Sequence, residues 1–263
     1  MTYSANDTMT APACRTLRVQ EVTGPQNHPF YRMRLDSPGW SWRPGQFLML
    51  RAEKWGIDPL CARPFSIADQ DEDSLHIYWQ AVGRMTRTMT ELRPGDELTV
   101  WGPLGNGFEH RHDIPTLLLA GGMGIVPFIG LIRRQQQVQN LELIFGHRYD
   151  LDSYPYAEIA DKVLTWSLQD TCQADLEKLG RALQVKIEGY SPDGRILACG
   201  PAPFLRMVQE IVLDKRARAQ LSLETHMACG IGACLGCAAT TRDGRTLQVC
   251  QDGPVFEAEN IVI

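Results

Sequence analysis

Four cysteines near the carboxyl end carry the plainest chemistry in this sequence. Cys229, Cys234 and Cys237 are separated by x4 and x2 spacers, and Cys250 follows after 12 intervening residues. Four thiolates within 22 residues can surround one metal centre. The x4/x2 spacing matches the plant-type pattern for a 2Fe-2S cluster, whereas structural zinc sites more often pair two short C-x2-C knuckles. Gly230, Gly232 and Gly236 let the loop fold tightly and bring backbone N–H groups close to sulfur. Zinc, or disulfides in an exported protein, are the other chemistries these residue types permit. Cys14, Cys61, Cys172 and Cys199 are scattered and carry no catalytic expectation. His28, His76, His110, His112, His147 and His226 are scattered too, and no Ser-His-Asp arrangement emerges.

Two glycine-bearing turns come next. Gly121-Gly122-Met123-Gly124-Ile125-Val126-Pro127 follows the apolar run 116–120 and opens an amphipathic segment ending at Arg133-Arg134. Glycines remove the side chains that would block a pyrophosphate, and the N–H groups of a helix start point at an anion. Cys199-Gly200-Pro201-Ala202-Pro203-Phe204-Leu205 repeats the strand-to-helix architecture. Two such turns at the carboxyl ends of one sheet can form a single cleft, although each alone is also an ordinary connection. A third motif, Arg63-Pro64-Phe65-Ser66, offers a forked cation for phosphate and a hydroxyl for a ring nitrogen.

The elements that must position these groups fall into distinct stretches. Short strands are expected at 17–22, 31–35, 46–51, 75–82 and 97–101, with Pro44-Gly45 and Pro94-Gly95 as the turns that feed two of them. That spacing predicts an antiparallel barrel or sandwich. After Asp113 the pattern changes: 116–120 is the uniformly apolar run of a strand buried on both faces, and 141–145, the region near 163–168 and 195–199 continue it. The fold class expected is therefore multidomain, β followed by α/β with a parallel sheet, with a small carboxyl-terminal lobe built around the cysteines.

Composition bounds the partners. The chain has 263 residues, 44% hydrophobic and 22% charged, an ordinary globular balance for two modest domains or one large one. A formal charge of −5 argues against a nucleic-acid partner. Residues 1–7 show no basic segment leading into an apolar stretch, so a cytoplasmic location is expected. The uncharged run 114–132 is broken by Gly121, Gly122, Gly124, Gly130, Pro115 and Pro127, and reads as strand, turn and helix start, not as a membrane span.

Taken in order, Arg63-Pro64-Phe65-Ser66, Gly83-Arg84-Met85-Thr86, the turn at 121–127 and Cys199-Gly200-Pro201 resemble the motif series of the ferredoxin-NADP reductase superfamily. Within it, the run 224–237, the segment 249–256 and Leu104-Gly105-Asn106-Gly107-Phe108 are similar to the electron-transfer subunits of class B dihydroorotate dehydrogenase. The resemblance implies an FAD-binding barrel over 13–110, an NAD-binding α/β domain over 111–222 and a 2Fe-2S lobe over 223–263. It implies that Arg63 pairs with the FAD pyrophosphate and that Ser66 sits near flavin N5. Pro64, Phe65, Tyr78, Trp79, Gln80, Met85 and Thr86 would complete the flavin contacts. Gly121, Gly122, Gly124, Cys199, Gly200 and Pro201 would hold NAD, and Cys229, Cys234, Cys237 and Cys250 the cluster. This chain has Met85 where the family commonly has glycine, and Gln80 near a position it commonly fills with a basic residue; Arg84 or Arg87 could compensate.

The implied partner is an FMN-containing subunit that oxidises dihydroorotate, in a heterotetramer of two of each. Electrons would pass from FMN through the cluster and FAD to NAD, since flavin can exchange both single electrons and hydride. Two other roles stay open at this point: a reductase subunit serving a hydrogenase, sulfur reductase or oxygenase, and a zinc-stabilised interaction protein without redox chemistry.

Overall fold

The computed structural model describes residues 11–24, 29–57, 60–191 and 193–263; His28 and residues 1–7 lie outside that range. The first part is a seven-stranded antiparallel sheet, curled into a barrel-like layer, built from β1 (Ala13–Thr23), β2 (Phe30–Asp36), β3 (Phe47–Ala52), β4 (Arg63–Ser66), β5 (Asp69–Gln70), β6 (Ser74–Gln80) and β7 (Glu97–Leu104). Spatial order is β4-β3-β7-β1-β2-β6-β5. Side chains alternate across the pleat: Met33 and Leu35 of β2, Leu75, Ile77 and Trp79 of β6, and Leu98 and Val100 of β7 turn inward to one core. A short helix, α1 (Arg84–Thr88), follows β6. Arg63-Pro64-Phe65-Ser66, expected as a motif between strands, is itself β4, paired with β3 so that Ser66 faces Phe47 across the ladder.

The second part is a six-stranded sheet. Its elements are β8 (Thr116–Gly121), α2 (Val126–Arg134), β9 (Leu141–His147), β10 (Leu164–Gln169), α3 (Gln173–Tyr190), β11 (Arg195–Cys199), α4 (Ala202–Asp214) and β12 (Ala219–Ser222). Every residue of β8, β9 and β12 is buried, as befits strands covered on both faces. β10, expected near 163–168, is the outer strand and is largely exposed. Sheet order is β10-β9-β8-β11-β12 followed by a strand over Val255–Glu257. The chain therefore runs outward from β8 through β9 to β10, then returns to the other side of β8 at β11. Such a reversal opens a crevice at the carboxyl ends of the two central strands.

The last part carries β13 (Ala238–Thr241), β14 (Thr246–Gln248), α5 (Val249–Asp252), β15 (Val255–Glu257) and β16 (Ile261–Val262). β14, β13 and β16 form a small separate sheet, while β15 pairs antiparallel with β12 and joins the six-stranded sheet. Among the described residues no helix is long and apolar enough to cross a membrane.

Candidate redox site

A cavity of about 360 Å³ opens between the barrel and the α/β domain. The barrel supplies Pro64, Phe65 and Ser66 from β4, Tyr78, Trp79 and Gln80 from β6, and Thr86 from α1. Alternation sets these side chains. Phe65 and Trp79 are buried, while Pro64, Ser66, Tyr78 and Gln80 are only partly covered. Thr86 Oγ1 accepts the Gly83 and Val82 N–H groups at 2.9 and 3.1 Å, so it shapes the turn that enters α1. Trp79 Nε1 donates to the Thr86 carbonyl at 2.9 Å and fixes that turn against β6. The Tyr78 hydroxyl donates to Glu158, which also pairs with Arg133 and, at 3.5 Å, Arg32. Burial, and then Glu158, push the Tyr78 phenol upward, so it stays protonated.

The opposite wall comes from the end of β12 and the segment after it: Ser222, Leu223, Glu224, Thr225 and Met227, with Pro254. A second cleft, of about 570 Å³, adjoins the first and shares Gln80, Met123 and Glu224 with it. It lies at the reversal of strand order. Gly121, Gly122, Gly124 and Pro201 line it, with His147, Arg148 and Tyr149 at the end of β9 and Asp170 after β10. The two turns touch. A Cβ on Gly124 would sit 2.1 Å from the Cys199 carbonyl oxygen, and one on Gly200 would sit 3.0 Å from Gly121 Cα. Gly122 has φ +53° with open space beside it, which leaves its backbone accessible from the cleft. Cys199 lines the first cavity from the end of β11; burial and then Glu224 push its thiol upward, so it presents a neutral S–H. Glu224 is exposed where the two cavities adjoin, and desolvation by the surrounding protein holds its carboxyl above the ordinary range.

The cysteine loop seats on the barrel. Trp101 Nε1 of β7 donates to the Cys229 carbonyl at 3.0 Å, and Gly230, at φ +72°, approaches Met49 so closely that a Cβ would lie 2.5 Å from its Cγ. Two pairs of thiols form. Cys234 contacts Cys229 through both side chain and backbone, its N–H reaching Cys229 Sγ at 3.4 Å. Cys237 contacts Cys250, whose N–H reaches Cys237 Sγ at 3.4 Å. Ile231 N–H points at Cys229 Sγ (3.5 Å) and Gly232 N–H at Cys250 Sγ (3.2 Å). Among the described residues no three ligand side chains converge on a single ion. Four thiols ringed by backbone N–H donors fit the ligand set of a two-iron cluster, which takes two cysteines on each metal. Burial raises the Cys229 thiol but the N–H groups of Ile231 and Cys234 outweigh it, bringing it down to about 7; burial beside Cys237 pushes Cys250 up to about 12.

The residues singled out in the sequence are not all at these cavities. Arg63 is exposed and its guanidinium folds back on the Cys61 and Ala62 carbonyls at 3.1 and 3.0 Å. Met85 is buried in the barrel core and Gly200 is packed against Phe204; neither lines a cavity. Sequence reasoning passed over Glu224, Ser222 and Asp170, which acquire their place from where strands end. The rule that ligands sit at carboxyl ends of parallel strands, applied to β10 and β12, points to them.

Two family models match the chain: the iron-sulfur cluster binding domain of dihydroorotate dehydrogenase B over residues 224–262, and the oxidoreductase FAD-binding domain over residues 18–109. Among curated proteins, the dihydroorotate dehydrogenase B (NAD(+)) electron transfer subunit of Caldanaerobacter subterraneus subsp. tengcongensis is 34% identical, over 88% of this chain and 92% of its own. That of Clostridium acetobutylicum is 33% identical, over 84% and 87%. Among solved structures, NADH-dependent reduced ferredoxin-NADP oxidoreductase superimposes with a TM-score of 0.78 at 21% identity, over 94% of this chain and 89% of its own, which is a likeness of fold. The ferredoxin reductase of carbazole 1,9a-dioxygenase gives 0.62 at 21% identity, over 78% and 67%.

Proposed function

The chain belongs to the electron-transfer subunits of dihydroorotate dehydrogenase B, and from that membership we propose that it carries electrons from a catalytic partner subunit through a 2Fe-2S cluster and FAD to NAD. The partner in this reading holds FMN, oxidises dihydroorotate, and assembles as two of each subunit. The domain division follows: FAD on 13–110, NAD on 111–222, the cluster on 223–263.

One observation carries the reading. The cavity bounded by β4 and β6 is closed on its far side by Thr225, Met227 and Pro254, which bracket the cysteine loop, and it opens past Glu224 into the glycine-lined cleft. In this reading a flavin held in that cavity would border both the one-electron donor and the two-electron acceptor. Flavin bound there supplies exchange between hydride and single electrons. The chain's own residues do the rest. Pro64, Phe65 and Trp79 exclude water, and the Ser66 hydroxyl is free to hydrogen-bond a ring nitrogen. The Gly121-Gly122 turn leaves room for a pyrophosphate, and Asp170 can accept ribose hydroxyls. Glu224 Oε can hold a proton between the two cavities, and the uncharged Cys199 thiol adds no anion beside it. The cluster-binding family model over residues 224–262 and relatives of one name across most of the chain favour this reading over a zinc-stabilised protein or a reductase for a hydrogenase, sulfur reductase or oxygenase.

The test is anaerobic purification with the partner, quantification of flavin and iron, and addition of dihydroorotate. NAD is expected to be reduced. A complex with full flavin and iron that leaves NAD oxidised sinks the assignment.

A further inference from the structure

A third cavity, of about 370 Å³, shares no residue with the other two. It lies at the opposite edge of the parallel sheet, where β8 and β11 begin at Thr116 and Arg195, and its walls come from both domains and the connector between them. Its size is that of a small-molecule site. The floor is apolar: Phe108, stacked on Phe128 at 5.4 Å, with Ile114 and Leu131. The rim is cationic, with four arginines against one carboxylate, Glu109.

Two of the arginines are already engaged. Arg134 pairs with Asp69 at 3.0 Å and lies over the Trp42 ring at 4.3 Å, and Arg195 pairs with Glu257 at 2.8 Å. The other two are available. Arg43 hydrogen-bonds through its backbone N–H to Gln46, and among the described residues its guanidinium makes no ion pair. Arg111 pairs with Asp113 at 2.8 Å, but the two side chains are 70% and 60% exposed, so solvent screens the pair and an incoming anion can replace it. Two guanidinium forks beside an apolar floor fit a dianion carried on an apolar body. A bare anion would leave the floor wet, and a neutral ring would leave the Arg43 fork without an acceptor.

We propose that this cavity binds a small organic phosphate, with its apolar body on Phe108, Ile114 and Leu131 and its phosphate between Arg43 and Arg111. The site is separate from the redox cavities and bridges barrel, connector and α/β domain.

Phenyl phosphate is the probe, titrated by calorimetry into the protein carrying its flavin and iron, with NAD present at saturation so that the nucleotide cleft is filled. Saturable one-to-one binding is expected, about tenfold or more tighter than inorganic phosphate or phenol. Arg43→Ala and Arg111→Ala are each expected to weaken it by about tenfold, with flavin content unchanged. Equal binding in both variants, abolition of binding by NAD, or no binding at all overturns the proposal. If Arg43→Ala fails to fold, Arg111→Ala, an exposed substitution, decides alone. None of these outcomes depends on dihydroorotate oxidation, so the electron-transfer reading stands or falls separately.

Discussion

Of the three residues that the two redox cavities share, Glu224 is the ionisable one, and its environment makes a specific demand. Its carboxyl is raised above the ordinary value of 4.5 by desolvation, so it keeps a proton into a range where a surface glutamate has lost it. Because the folded value is the higher one, folding is unpenalised below about 4.5 and loses stability as pH rises through the raised value. Glu224→Gln removes that loss. Thermal melting of the flavin-free protein is expected to show the variant equal to wild type at acid pH and more stable at neutral pH. If Glu224 also moves a proton during flavin turnover, the same variant slows flavin reduction by NADH roughly tenfold or more in stopped flow, with flavin content unchanged. At the cysteines the expectation is simpler: Cys250→Ser lowers iron below about two atoms per chain while the yellow cofactor remains. The cysteines were legible because ligand spacing is a local property of the chain. Glu224 was not, since nothing around it in sequence says that β12 ends at a cleft. Met85, chosen by its neighbours in a motif, turned inward because an apolar side chain on the buried face of α1 has a core to join.

At the scale of elements, the two strand-to-helix turns stand or fall together. A methyl group on Gly124 meets the Cys199 carbonyl, and neither backbone can retreat without disturbing the β8 and β11 ladder. Gly124→Ala is expected to cost about 1–3 kcal/mol, read as a lowered melting temperature, and to weaken NAD binding. The connector between domains carries a pH response. Burial lowers the His110 imidazole below its ordinary value of 6.5, with Gln135 opposing and His112 and Arg195 assisting. The neutral form is therefore the one the fold holds. Its contribution is present above 6.5 and is lost as pH falls through the lowered value, so His110→Gln should flatten the decline in melting temperature between neutral and acid pH. Five of the seven barrel strands were readable from alternation, the short β4 and β5 being missed, and β8 was readable from its unbroken apolar run. β10 was readable as a strand but not as an outer one, because periodicity reports on side chains and not on which backbone edge finds a partner.

Across the whole molecule, Asn106 links parts of the chain that sequence keeps far apart. Its side chain donates to the Asp252 and Val255 carbonyls at 3.1 and 2.8 Å and accepts the Val255 N–H at 2.9 Å, bridging up to 149 residues. Asn106→Ala leaves those backbone groups without partners, at a cost of about 1–3 kcal/mol, and is expected to speed iron loss to a chelator. Motif order made the three-part organisation visible beforehand. The contacts between the parts were invisible, because each depends on two segments meeting only after folding. One such meeting sets where the cysteine loop sits. Since β15 is stitched into the same sheet as the nucleotide turns, the segment that closes the cysteine loop is anchored to the α/β domain. A cluster held by those cysteines would therefore keep its place beside the cavity instead of travelling between donor and acceptor.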